Sequence, residues 1–181
     1  LRRLLKAKAA ELCVKSNFSN FLLFVVCCRG LLALKMTNKP AVVLFACVEN
    51  AGRSQMAKAL FNMCIDPAAA TAISAGSKPA EHVLDEVVEV MQELGINLTS
   101  AKPQKLTAEL AATATVLVTM GCQEDCPYVP GVKVIAWQIP DPHGQKVVAV
   151  RELRDLLKQK VLELAEEEGY PMLANTALPQ L

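Results

Sequence analysis

From Pro40 onward the chain alternates short apolar runs with longer stretches of helical periodicity, and few folds accommodate that alternation. Ala41 to Ala46 is a continuous apolar run suited to a strand buried on both faces. Ser54 to Cys64 places Ala57, Leu60, Met63 and Cys64 at helical spacing, and Asp66-Pro67 predicts the stop. TAISAGS is a second short strand closing on Gly76. Residues 80–94, AEHVLDEVVEVMQEL, put Val83, Val87, Val90, Met91 and Leu94 on one helical face, with Gly95 as the C-terminal stop. After a short helix near Leu106 to Ala112, TATVLVTM and VKVIAWQI read as two more buried strands. Gln145 to Glu168 reads as a long terminal helix with Val148, Leu153, Leu156, Leu157 and Leu164 turned inward.

Crossovers long enough to contain helices imply an α/β fold, a four-stranded parallel sheet covered by helices on both faces. The functional site of such a sheet lies beyond the carboxyl ends of its strands. Cys47 ends the first strand, TMGCQEDC ends the third and IPDPHG ends the fourth, so three chemically loaded loops fall on one edge.

Composition narrows the setting. The 181 residues are 52% hydrophobic and 20% charged, enough to bury one core, and a single domain is expected over residues 36–181. A formal charge of +1 offers no concentrated basic surface for a nucleic acid. Residues 1–35 begin basic and carry an apolar run from Phe21 to Cys28 that Arg29 and Gly30 interrupt. Even Phe21 to Leu34 falls short of the roughly 20 apolar residues that span a membrane, so no membrane association is expected. This extension reads as organelle-targeting, as signal-like, or as sequence upstream of a start at Met36, where MTNKPAVVLF opens just before the first strand. A start at Met36 predicts a cytoplasmic protein, and genuine targeting predicts an organelle. Cys13, Cys27 and Cys28, inside the extension, are expected to have no part in the chemistry. Seven cysteines without even spacing argue against a disulfide scaffold and for a reducing compartment.

The segment CVENAGRS, residues 47–54, is where chemistry is expected. A cysteine followed at the sixth position by arginine is a short pattern that needs its context. Here the match starts at a strand end and finishes at a helix start, where unpaired backbone N–H groups and the positive end of the helix dipole favour an anion. The same field favours a thiolate over a thiol. Arg53 offers a planar fork for two oxygens of a tetrahedral oxyanion. Gly52 lets the backbone curl closely around it. Ser54 can donate to the sulfur, and Asn50 can hold the loop through side-chain to backbone bonds. The alternative is a buried structural cysteine beside a surface arginine, which leaves the strand-loop-helix setting unexplained.

CVENAGRSQMA resembles the anion loop of the low-molecular-weight protein tyrosine phosphatase superfamily, which includes a branch of arsenate reductases. DPHG after VIAWQIP resembles the late Asp-Pro of that superfamily, whose aspartate is the general acid. The resemblance covers about residues 38–168 in order and implies a four-stranded parallel sheet flanked by helices. It implies that Cys47 is the nucleophile and Asp141 the acid. Val48, Glu49, Asn50, Ala51, Gly52, Arg53 and Ser54 then form the oxyanion loop.

Phosphatases and arsenate reductases share attack by a thiolate on a bound oxyanion, with a carboxylic acid protonating the departing oxygen. A phosphatase then hydrolyses the cysteinyl-phosphate with water, whereas a reductase discharges its cysteinyl-arsenate with a second thiol. TMGCQEDCP supplies Cys122 and Cys126, and resembles the region where thioredoxin-coupled reductases carry their second and third cysteines. The phosphotyrosine pattern is less well met: His143 stands where a tyrosine usually follows the Asp-Pro, and aromatic residues are only 4% of the chain. The loop also departs from the common Gly-Asn and second-cysteine pattern, with Glu49 before Asn50 and Gly52 before Arg53. The resemblance thus implies an arsenate reductase with arsenate as substrate and no tightly bound cofactor. Its external reductant would be thioredoxin, or glutathione or mycothiol with a redoxin. A tyrosine phosphatase acting on a phosphate monoester is the alternative, and an oxyanion-binding module without turnover a third reading.

Cys122 and Cys126, with only His82 and His143 to add, do not make a usual zinc site, and no metal is expected. Two loop cysteines without a role remain an alternative to the redox pair. Cys64 is expected in the core, His143 in a turn beside Asp141, and Trp137 in packing.

Overall fold

The computed structural model describes residues 39–122 and 125–173; the 1–35 extension with Cys13, Cys27 and Cys28 lies outside them. Four strands form one sheet: β1 (Ala41–Cys47), β2 (Ala70–Gly76), β3 (Val116–Met120) and β4 (Lys133–Ala136). Their order is β2-β1-β3-β4, and every neighbouring pair is parallel. Ala41 to Cys47 pair with Ala70 to Gly76, Cys47 also pairs with Met120, and Thr119 pairs with Ala136. The carboxyl ends of all four strands therefore share one edge, as the alternating pattern predicts.

Four helices complete the fold: α1 (Arg53–Cys64), α2 (Asp85–Gln92), α3 (Ala108–Ala111) and α4 (Val147–Glu168). Alternate β1 residues feed two cores. Val43, Phe45 and Cys47 join Met56, Phe61, Val87, Met91, Leu157 and Val161 under α1, α2 and α4. Leu44 and Ala46 join Leu106, Ala111, Leu117 and Cys122 on the α3 side. An unbroken apolar run is the pattern a central strand with both faces covered requires. Phe45 anchors the larger core, with ring centroids 6.0 Å from Phe61 and 5.7 Å from Trp137.

Three expectations need correction. β4 is a short edge strand rather than a buried one; Val134 is exposed, and burial resumes only at Trp137 beyond the strand end. The stripe of α4 is rotated: Val150, Leu153, Leu157, Val161 and Leu164 are buried, while Val148 and Leu156 face out. Leu156 lines a cavity of about 330 Å³ between α4 and the 140–142 turn, together with Pro140, Asp141 and Pro142. Finally, α2 starts at Asp85 because residues 77–84 have other work for their backbone. α2 and α4 are joined by the fully buried Arg154, which donates to Val90 O at 2.8 Å and to Glu93 at 2.7 Å. Arg151 binds the same carboxylate, and the two guanidinium groups, Arg151 first, hold Glu93 down at about 2.

Candidate active site

Residues 48–52 connect β1 to α1, and the segment after β2 shapes them. The N–H groups of Ser77, Lys78, Ala80 and Leu84 donate to the carbonyls of Cys47, Val48, Glu49 and Ala51 at 2.8 to 3.1 Å. With its carbonyls engaged from outside, the loop is left to present its N–H groups to an anion, the arrangement of a backbone nest. Helix α1 adds its own first-turn donors. Its N-cap is Gly52, no side chain caps it, and its first N–H groups have no intrahelical partner.

Cys47 is buried at the head of this loop and is the focus of its bonds. Ser54 Oγ lies 3.0 Å from Cys47 Sγ, and the Asn50 N–H donates to the same sulfur at 3.2 Å. Asn50 is fully buried and left-handed, with φ of 52°. Asparagine tolerates that region better than most residues, and its side chain locks the geometry. Its Nδ2 donates to Ser54 Oγ at 2.7 Å, while its Oδ1 accepts from Gln104 N at 2.9 Å and from Gln55 Nε2 at 3.3 Å. Neither glutamine was singled out in the sequence, where nothing marks them as partners of the loop.

Arg53 is 7% exposed, and its guanidinium meets the Asp141 carboxylate at 2.6 Å and Ile139 O at 3.4 Å. This pair joins the first strand's loop to the fourth's. Asp141 Oδ1 also accepts the His143 N–H at 3.0 Å, which makes a local turn, and the His143 ring lies 3.7 Å from Glu49 Oε2. Gly52 serves a contact the sequence did not suggest: a Cβ there would stand 2.5 Å from Pro142 Cγ, so the missing side chain lets the 140–143 turn close on the loop. Gly121 has φ of 81°, and its Cβ would lie 3.1 Å from Arg53 Nη1. The loop after β3 can thus cross directly over the guanidinium.

One residue beyond Gly121 is Cys122. Its sulfur lies 2.9 Å from that of Cys126, with both thiols free. Cys122 is buried and Cys126 half-buried. The hydrogen bond from Cys126 is the main cause that lowers Cys122 below the ordinary thiol range; burial opposes it and the charge of Arg53 assists it. The same bond pushes Cys126 well above that range, reinforced by burial and by the charges of Cys122, Asp125 and Cys47. Of the two thiols, Cys122 is thus the first to lose its proton and Cys126 the last, as expected when two like groups share one site.

A model of the family described as low molecular weight phosphotyrosine protein phosphatase matches residues 42–169. The chain belongs to that family. A Halobacterium salinarum protein named "Putative arsenate reductase" is 36% identical over 127 residues, 68% of this chain and 89% of the relative. The solved thioredoxin-dependent arsenate reductase of Corynebacterium glutamicum aligns with a TM-score of 0.62 at 32% identity, covering 74% of this chain and 64% of that one. An arsenate reductase from Archaeoglobus fulgidus aligns at 0.60 and 30% identity over 68% of this chain and 98% of its own.

Cys47, Arg53, Ser54 and Asp141 converge at one sheet edge, and Gly121 brings the loop of Cys122 and Cys126 against Arg53 there. Trp137 and Cys64 pack in the larger core. Among the described residues, no three His, Cys, Asp or Glu side chains are placed to share a metal ion, and no helix is long and apolar enough to cross a membrane.

Proposed function

We propose that this protein is an arsenate reductase in which three thiols act in the order Cys47, Cys122, Cys126. The observation that carries the reading is the pair of free thiols 2.9 Å apart, with the charge of Arg53 acting on Cys122. A phosphatase needs only the first cysteine.

Arsenate binds to the N–H groups of residues 48–54 and to Arg53, which exchanges its bond to Asp141 for the anion's oxygens. The Cys47 thiolate, held by Ser54 and the Asn50 N–H, attacks arsenic, and Asp141 protonates the oxygen that leaves as water. Cys122 then attacks Cys47 Sγ. The new sulfur–sulfur bond forms as the sulfur–arsenic bond breaks, the electron pair stays on arsenic, and arsenite departs. Two thiols have supplied the two electrons that reduce As(V) to As(III). Cys126 next attacks Cys122, leaving a Cys122–Cys126 disulfide and a free Cys47.

The charge distribution suits this order. Cys122 is the lowered, nucleophilic thiol, whereas Cys126 is held protonated chiefly by Cys122 itself. Once Cys122 has entered a disulfide, that hold is gone and Cys126 becomes easier to ionise. Cys126, the more exposed member, then passes the disulfide to an external thiol, either thioredoxin or glutathione or mycothiol with a redoxin. Such exchange calls for a reducing compartment such as the cytoplasm.

The same first step would serve a tyrosine phosphatase, the activity in the family's own description. One set of assays separates them. Purified protein is given arsenate with thioredoxin, glutaredoxin plus glutathione, or mycothiol with its redoxin, and separately an aryl phosphate. Arsenite release coupled to reductant consumption is expected in at least one mixture. Aryl phosphate hydrolysis with no reductant consumed in any arsenate mixture would overturn the proposal.

A further inference from the structure

We propose that Lys58 is a positioning residue for the Cys47 nucleophile, acting through a directed chain of hydrogen bonds that runs Lys58, Gln55, Asn50, Ser54, Cys47. Lys58 Nζ donates to Gln55 Oε1 at 2.9 Å, Gln55 Nε2 to Asn50 Oδ1 at 3.3 Å, and Asn50 Nδ2 to Ser54 Oγ at 2.7 Å. Ser54 Oγ lies 3.0 Å from Cys47 Sγ.

The direction of the chain is fixed from outside. The Gln104 backbone N–H can only donate, and it donates to Asn50 Oδ1 at 2.9 Å, so that atom is the carbonyl oxygen of Asn50. Gln55 must meet that oxygen with its own amide nitrogen, which leaves its carbonyl oxygen facing the Lys58 ammonium. Asn50 in turn must present nitrogen to Ser54. Ser54 Oγ accepts there, and its hydrogen is free for the sulfur. Every link then donates toward Cys47. Hydrogen bonds aligned head to tail polarise one another, so a positive head strengthens the last donor most when the acceptor is an anion.

The head is a cation with little else to do. Lys58 sits on α1 three residues after Gln55 and four after Ser54, the spacing that brings the three onto one side of a helix. It is half-buried, and no carboxylate oxygen approaches within 4.0 Å of it among the described residues. Burial pushes its ammonium below the ordinary lysine value with no carboxylate charge opposing the shift. A charge drawn partly out of water without a counter-ion is costly, and an ordinary solvated surface lysine would not be held so. The inference rests on Cys47 being the nucleophile, whichever oxyanion it attacks.

The test is the rate at which iodoacetamide alkylates Cys47 in the full chain, read by mass spectrometry of the peptide that contains it. This needs neither arsenate nor a reductant, so it is independent of the choice between reductase and phosphatase. At about pH 7, Lys58→Met and Lys58→Gln should slow Cys47 about fivefold, and Lys58→Arg should stay within about twofold of wild type. At about pH 10, where thiols ionise without help, all four proteins should react alike. Gln55→Met should match Lys58→Met, and the double variant should be no slower than either single one, because breaking one chain twice costs nothing more. Equal rates in wild type and both neutral Lys58 variants at about pH 7 would overturn the proposal. Equal slowing at both pH values, the mark of a merely structural role, would overturn it too. Additive losses in the double variant would exclude transmission through Gln55. A wild-type Cys47 no faster at about pH 7 than a free cysteine would sink the nucleophile reading and this inference with it.

Discussion

The loop at Cys47 and the loop at Cys122 sit on the same sheet edge and both hold cysteines, yet they are built on opposite plans. The first is held by hydrogen bonds from every side: four backbone donors from residues 77–84, the Asn50 side chain, and Ser54. Among its described residues the second has fewer ties: the Asp125 N–H donates to Cys122 O at 3.0 Å, Lys78 meets the Asp125 carboxylate at 3.8 Å, and a buried Cys122 touches a Cys126 that is partly open. A rigid frame suits a group that must meet a transition state in one geometry, since preformed donors need no reorganisation when charge develops. A looser frame suits a thiol that must attack one sulfur and later be attacked by another. In the proposed mechanism the same residue type does two kinds of work, and the surrounding bonds decide which.

The largest test of that division is to remove each thiol in turn. Cys47→Ser should cost at least about 1,000-fold in arsenite release and in any aryl phosphate hydrolysis, because every later step depends on its adduct. Cys122→Ser should abolish arsenite release while leaving aryl phosphate hydrolysis in place. Cys126→Ser should release a single arsenite per chain and then stall as a Cys47–Cys122 disulfide, visible by intact mass. Sustained turnover by Cys126→Ser would show that the second loop is not the relay its geometry suggests.

Much of this contrast was legible in the sequence, and the parts that were not share a cause. The parallel sheet, its shared edge and the gathering of Cys47, Cys122, Cys126 and Asp141 follow from alternating apolar runs and from where each run ends. The support of the first loop does not. Residues 77–84 give up backbone N–H groups to it, and a backbone donor has no side-chain signature, so residues 80–84 read as the start of α2. Gln55 and Gln104 look like surface residues until Asn50 turns left-handed and presents its amide to both. In α4, Val148 and Leu156 fit an apolar stripe, but Val148 is exposed and Leu156 faces the cavity beside Pro140 instead of the core. Periodicity counts apolar positions without saying which are covered. The opposite shifts of Cys122 and Cys126 were beyond reach for another reason: they depend on a sulfur–sulfur distance and on the charge of Arg53, neither of which spacing supplies.

Where the two loops touch, the comparison can be sharpened at a single atom. Gly121→Ala adds a methyl group 3.1 Å from Arg53 Nη1 at a φ of 81°, where an L side chain is strained in any case. Backbone strain of this kind costs about 1–2 kcal/mol in stability. The displaced guanidinium should raise the KM for arsenate about tenfold, since it loses part of a two-oxygen contact. Thermal unfolding and steady-state kinetics read the two effects separately. A stability loss without a change in KM would mean that Arg53 gives way without leaving the anion.

The smallest effect, and the one specific to the second loop, concerns which of its thiols holds the proton. Cys126 is pushed up first by its hydrogen bond to Cys122, then by burial and by the charge on Cys122. Removing that partner with Cys122→Ser takes away the charge as well as the thiolate acceptor, so Cys126 should titrate lower than in wild type. Its alkylation at neutral pH should then rise about threefold, because the thiolate is the reactive form. The reciprocal change has the opposite sign. Cys122 is lowered mainly by the bond that Cys126 donates, while burial acts against it, so Cys126→Ser should raise Cys122 and slow its alkylation by a similar factor. The first loop predicts no such reciprocity, for Cys47 is held by a hydroxyl and a backbone N–H that stay in place when either of these thiols is removed. Cys47 alkylation that followed Cys126→Ser as closely as Cys122 does would erase the distinction between a nucleophile set by its frame and one set by its neighbour.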